Sequence, residues 1–177
     1  MHYYALIKLD SRDNVELQIE QALEPFRETY DEDTEEFTGF WDWWTIGGRW
    51  TGKIDGYDPT TDRRNMKVCW LCHGTGKRSD EIGNAARLRN PDYGCNGCED
   101  TGIMLKYASD WVSHPGDIAT RETIPDDAKP YTLIANGTAT HREVWAGEHF
   151  TDNHEALDKA WNALPTDALL VVVDYHC

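Results

Sequence analysis

ALLVVVDY, residues 168–175, contains an unbroken apolar run that reads as a β-strand. Successive strand side chains point to opposite faces, so a run without alternation predicts a central strand buried on both sides. YYALIKL, residues 3–9, predicts a second strand, and the first and last strands of the chain are expected inside one sheet. Each of these strands has a helix next to it in the sequence. Asp13 and Glu16 stand at capping-box spacing, and Val15, Ile19, Ala22, Leu23 and Phe26 recur on one face, with Pro25 set to end or kink the helix. Asp152 and Glu155 repeat that spacing before Ala156, Leu157, Ala160, Trp161 and Leu164, and Pro165 closes the second helix. Asn136-Gly137 joins the apolar-rich runs 131–135 and 138–145 by the strongest short hairpin signal.

This order predicts an α+β fold in which two helices cover one face of a mainly antiparallel sheet, a ferredoxin-like topology being one candidate. A chain of 177 residues has room for one sizeable core and a small satellite. The core is expected in residues 1–61 and 107–177, with an inserted arm at 62–106. No apolar run approaches the roughly 20 residues of a membrane helix, and MHYYALIKLD lacks the regions of a signal peptide. No membrane partner and a cytoplasmic location are therefore expected.

The formal charge of −15 is unevenly spread. Residues 62–106 hold eight Lys/Arg and six Asp/Glu, a net +2, so the rest of the chain carries −17. From Glu28 to Glu36 six of nine residues are acidic, which reads as a solvated loop. An acidic body repels phosphate, so nucleic acid is a disfavoured partner.

Inside the arm, CWLCHGTG at Cys69–Gly76 and CNGCEDTG at Cys95–Gly102 share one frame. Two Cys-x-x-Cys turns complete the tetrahedral thiolate set that zinc prefers, so Cys69, Cys72, Cys95 and Cys98 are predicted to hold one structural Zn2+. Four thiolates leave no position for water or substrate, which speaks against catalysis at the ion. Four thiolates and one zinc add −2 locally, which the basic residues of the arm can offset. Cys177 reads as a bystander. These segments resemble the cysteine-rich zinc domain of DnaJ-type chaperones, whose unit is CxxCxGxG. Cys69, Cys72, Gly74 and Gly76 match it in full, while Asp100 stands where the second unit would have its first glycine. The resemblance implies one zinc ion from two repeats. It implies no chaperone activity, since His114-Pro115-Gly116-Asp117 interrupts the His-Pro-Asp tripeptide of a J domain.

WDWWTIGGRW, residues 41–50, holds half of the eight tryptophans. Strand alternation would put Trp41 and Trp43 on one face and Asp42 and Trp44 on the other. Two readings stand: a tryptophan-rich core corner with Arg49 stacked or ion-paired, or a ligand pocket. In the pocket, Trp43, Trp44 and Trp50 would stack on a nucleotide-like ring while Arg49 and the backbone at Gly47 and Gly48 meet its phosphate. WWTIGGRW, NGTATHREVW and VVVDYH together are similar to small uncharacterised proteins of actinobacterial phages. That resemblance implies a phage origin, hence the host-cell cytoplasm, and carries no activity with it.

His141-x-Glu143 and Asp174-x-His176, with His2, are the remaining candidates for acid-base or metal chemistry, because alternation places each pair on one face of a strand. There is no Gly-rich phosphate loop, nucleophile elbow or HExxH. The expectation is a non-enzymatic, zinc-stabilised accessory protein that binds a host or phage protein, for example in host takeover or counter-defence. A nucleotide-like ligand-binding protein or small enzyme, and a zinc-knuckle nucleic-acid binder, are the alternatives.

Overall fold

The computed structural model describes residues 1–145, 147 and 149–177. Among them the strands are β1 (His2–Leu9), β2 (Thr29–Asp31), β3 (Glu36–Thr38), β4 (Trp43–Ile46), β5 (Met66–Val68), β6 (Ile103–Leu105), β7 (Ile118–Thr120), β8 (Thr132–Ala135), β9 (Thr138–His141), β10 (Glu143–Trp145), β11 (Phe150–Asp152) and β12 (Leu169–His176). The α-helices are α1 (Val15–Leu23), α2 (Glu81–Arg89) and α3 (His154–Ala163). The chain divides into two compact units, residues 1–57 with 113–177 and residues 58–112.

The main sheet of the larger unit has the order β4-β12-β1-β8-β9, and β7 also pairs with β12. Its pairs are antiparallel except β1 with β8. β12 is central, as its apolar run predicts: β1 lies along one side, and β7 and β4 share the other. Different helices cover the two faces, which corrects the expectation that both share one. Ile19 and Leu23 of α1 pack with Ala5, Ile7, Val171 and Val173, whereas Leu157 and Trp161 of α3 pack with Tyr4, Leu6, Leu170 and Val172. A strand that is apolar on both faces needs cover on both. A ferredoxin-like split crossover would set an antiparallel strand between its two parallel strands. Here β1 and β8 are direct parallel neighbours.

The helices begin where expected, without the capping boxes. Asn14 adopts the left-handed conformation at the start of α1 and makes no side-chain cap. The turn is held instead by Gln18, whose amide accepts from the Asp10 N–H and donates to the Ser11 and Asp13 carbonyls. At α3 the Asp152 carboxylate accepts from the His154 N–H, one residue short of the Glu155 N–H that a box would use. Two segments are ordered differently from expectation. The acidic stretch is a solvated hairpin, β2 with β3, because the Tyr30–Phe37 ring pair at 5.0 Å and the Thr29–Thr38 hydroxyl bond favour strand pairing. The run 138–145 is split: β9 stays in the main sheet and β10 turns away to pair with β11.

In residues 58–112, β5 and β6 form an antiparallel ribbon from which the cysteine turns extend. Asn65 is fully buried and ties the ends of the unit together: its amide donates to the Pro59 carbonyl and accepts from the Val112 N–H. The stretch between the cysteine pairs contains α2, a third helix that the two-helix expectation lacked. Asp80 caps it by accepting from the Gly83 N–H at 2.9 Å, and Arg87 and Arg89 suit its C-terminal end.

Candidate metal centre and the sites of the larger unit

Cys69, Cys72, Cys95 and Cys98 are buried, with all four Sγ atoms within 4.8 Å of one another. The Cys69–Cys95 and Cys72–Cys98 sulfurs are 3.7 and 3.6 Å apart. Sulfurs around an ion at about 2.3 Å in tetrahedral geometry are roughly 3.8 Å apart, so the residues fit a single metal ion. Leu71 and Met104 pack against the cluster. Burial pushes the Cys98 thiol up to about 12. Burial also works to raise Cys72, but hydrogen bonds led by the Gly76 N–H hold it down at about 7.

The two turns are copies of each other in conformation. His73 and Glu99 have φ of 52° and 48°, Gly74 and Asp100 of 86° and 66°, and Gly76 and Gly102 of 70° and 78°. Thr75 donates to the Cys72 and Lys77 carbonyls, and Thr101 donates to those of Cys98 and Ile103. Asp100 therefore occupies a glycine position without breaking the turn. Aspartate tolerates the left-handed region, and its carboxylate accepts from the Cys95 N–H at 2.6 Å.

The tryptophan-rich stretch is divided between the two faces of the main sheet. The strand begins only at Trp43, so Trp41 and Trp43 do not share a face. Trp41 is buried with α1, its indole donating to the Leu23 carbonyl, and Trp44 packs on that side as well. Trp50 lies against the opposite cluster. Trp43 is exposed and meets the edge of His2. Arg49 is exposed too, and it is the backbone N–H of Arg49 that donates to Asp174, at 3.0 Å. Gly47 and Gly48 have φ of +67° and +55° and lie against two buried carboxylates. Asp117 receives the Gly52 N–H and Asp174 the Arg49 N–H. Burial raises Asp117 to about 6, against the hydrogen bonds from Gly52 and Thr51. Sequence reasoning missed Asp117, which reads as an ordinary loop acid in HPGD.

The histidine and acid candidates form two groups: His2, Asp174 and His176 lie together, the His2 and His176 rings 5.2 Å apart, while His141 and Glu143 lie elsewhere. Asp174 pairs across the sheet with Tyr4, on the α3 side, where His2 lies 3.0 Å from its carboxylate. His176 pairs with Asp42 at 2.9 Å. His141 is opposite Thr132, itself opposite Ala5, which puts it on the α1 side. There Thr132 bridges the His141 Nδ1 and the Tyr175 hydroxyl at 2.9 and 2.7 Å, and burial holds the His141 imidazole below its ordinary value. Glu143 is exposed on β10. With Tyr3, Phe40, Tyr131 and Trp145, His141 and Glu143 line an aromatic cleft of about 240 Å³. No helix among the described residues is long and apolar enough to cross a membrane. No known protein family, curated protein or solved structure matches the chain.

Proposed function

We propose that the four cysteines hold one zinc ion as a structural staple, and that the protein acts without catalysis by binding another protein through the ribbon beside this centre. The observation that carries the reading is the solvent face of β5 and β6. Met66 pairs with Leu105 and Val68 with Ile103, so all four share a face, and Val68, Ile103 and Leu105 are 63%, 50% and 37% exposed. Met104, on the other face, packs on the cysteines. A small unit that spends one face of its ribbon on a metal site and leaves the other apolar in water has the character of a docking surface. The resemblance to phage proteins makes a host or phage protein the expected partner.

The cations of the arm support a protein partner over nucleic acid. Arg78 pairs with Asp80, Arg64 with Asp62, and Arg87 donates to the Arg78 carbonyl and to Asn84. These pairings lower the positive potential of the arm, and the chain outside residues 62–106 carries −17, which repels phosphate. Two measurements test the reading. Metal analysis should return one zinc per chain, and a red iron-thiolate protein would sink the zinc assignment. Protein isolated from its native cell should carry a partner that Arg49→Ala retains and Val68→Glu or Ile103→Glu loses; equal retention by all three would remove the ribbon face from the proposal.

A further inference from the structure

Trp50, Lys53, Lys129 and Arg142 line a cleft of about 280 Å³ whose walls include Tyr4 and Tyr131. Outside residues 62–106 the chain has only nine Lys/Arg against 26 Asp/Glu, and three of the nine come together here. In a body that repels anions, such a cluster defines a local exception. Asp127 also lines the cleft, leaving the cations in excess.

The individual groups are placed to receive a ligand. Arg142 donates from Nε to His154 at 2.6 Å, which leaves its terminal amino groups without a protein partner among the described residues. Lys129 pairs with Asp158, but Asp158 is exposed and Lys129 partly so, and such pairs contribute little. Lys53 is exposed. The Tyr4 hydroxyl is engaged with the Ala128 carbonyl, so its contribution to the cleft is its ring, which lies 5.6 Å from that of Trp50. The Trp50 indole nitrogen is buried with no acceptor among the described residues. A buried donor of this kind is ordinarily met by an ordered water or a bound ligand.

We infer that this cleft binds a small anion built on a planar ring, of the nucleoside monophosphate type. The ring lies against Trp50 and Tyr131, and the phosphate is met by Lys53, Lys129 and Arg142. An apolar ring alone would leave the cations unused, and a free phosphate would leave the aromatic walls unused. The inference stands apart from the ribbon face and does not depend on it.

Titration calorimetry with the four ribonucleoside 5′-monophosphates, adenosine and inorganic phosphate tests this on the intact chain. At least one monophosphate should bind saturably, at least tenfold more tightly than adenosine or phosphate, and more weakly as salt is raised. Lys53→Gln and Arg142→Gln, both at exposed positions, should each weaken that binding about threefold to tenfold while leaving the melting temperature unchanged. Trp50→Phe, which narrows the aromatic wall, should also weaken it. No saturable binding of any monophosphate at millimolar concentration would overturn the inference. So would inorganic phosphate binding as tightly as the monophosphates, or affinity unchanged in Lys53→Gln and Arg142→Gln.

Discussion

Gly76 lies against the backbone of Asp100: a Cβ on Gly76 would stand 2.3 Å from the Asp100 carbonyl oxygen. The relationship is reciprocal, since a Cβ on Gly102 would stand 2.4 Å from the Gly74 carbonyl oxygen. Each cysteine turn thus closes on the other through a glycine, and the four sulfurs come together because the two backbones can touch.

Gly76→Ala should therefore damage residues 58–112 more than Gly74→Ala. Both glycines have positive φ, but a Cβ on Gly74 meets only the Val68 side chain, at 3.4 Å. Backbone strain alone costs about 1–3 kcal/mol, and Gly76→Ala adds a collision with main chain that no rotamer relieves. Zinc affinity measured by chelator competition should fall clearly further for Gly76→Ala; equal losses would show that the two turns do not depend on their contact.

Stripping the metal, or replacing Cys72 with Ser, should unfold residues 58–112 and spare the larger unit. Structural zinc contributes about 10–16 kcal/mol to small folds of this kind, and the smaller unit has little other core: its buried apolar cluster is the four cysteines with Leu71 and Met104 packed on them. Hydrogen exchange should show protection lost across 58–112 and kept in β1 and β12. Loss of protection in β12 would mean that the two units fold as one.

Some of this architecture can be read in the chain and some cannot, for physical reasons. Burial of β12 on both faces leaves a compositional trace, and the left-handed turn at Asn136-Gly137, with φ of 53° and 75°, is one that few other residue pairs adopt. The cysteine turns are legible because metal chemistry restricts spacing. An apolar stripe shows that α1 and α3 are buried, but it does not say on which face of the sheet. The separation of His141 from Asp174 likewise depends on register: each residue has a definite parity, yet only the pairings Thr132↔His141 and Tyr4↔Asp174 reveal that the parities are opposite. Arg49 drew attention by its charge, whereas the structure uses its N–H.

That distinction separates two neighbouring substitutions. Gly48→Ala would place a Cβ 2.6 Å from the Asp174 side chain at a φ of +55°, and should cost roughly 2 kcal/mol or more. Arg49→Ala keeps the N–H that Asp174 accepts and removes an exposed guanidinium, so its effect should stay within about 0.5 kcal/mol. Urea denaturation of both variants checks this, and a large loss in Arg49→Ala would mean that the side chain has a structural role.

Asp117 provides a pH signature of known sign. Burial raises its carboxyl from 3.8 to about 6, so the folded state binds the proton more tightly than the unfolded chain. Stability from this group is complete below pH 3.8, declines as pH rises through about 6, and above that the buried charge costs roughly 3 kcal/mol. Asparagine keeps the oxygen that accepts the Gly52 N–H, and its amide can donate to the Thr51 hydroxyl, without carrying charge. Asp117→Asn should accordingly be more stable than the parent at pH 7.5, by up to that amount, and the advantage should vanish by pH 4. Paired denaturation curves across this range give the difference directly. A constant difference between the two proteins would place the titration elsewhere, and a less stable variant at pH 7.5 would show that the charge itself holds the Gly47–Gly52 turn.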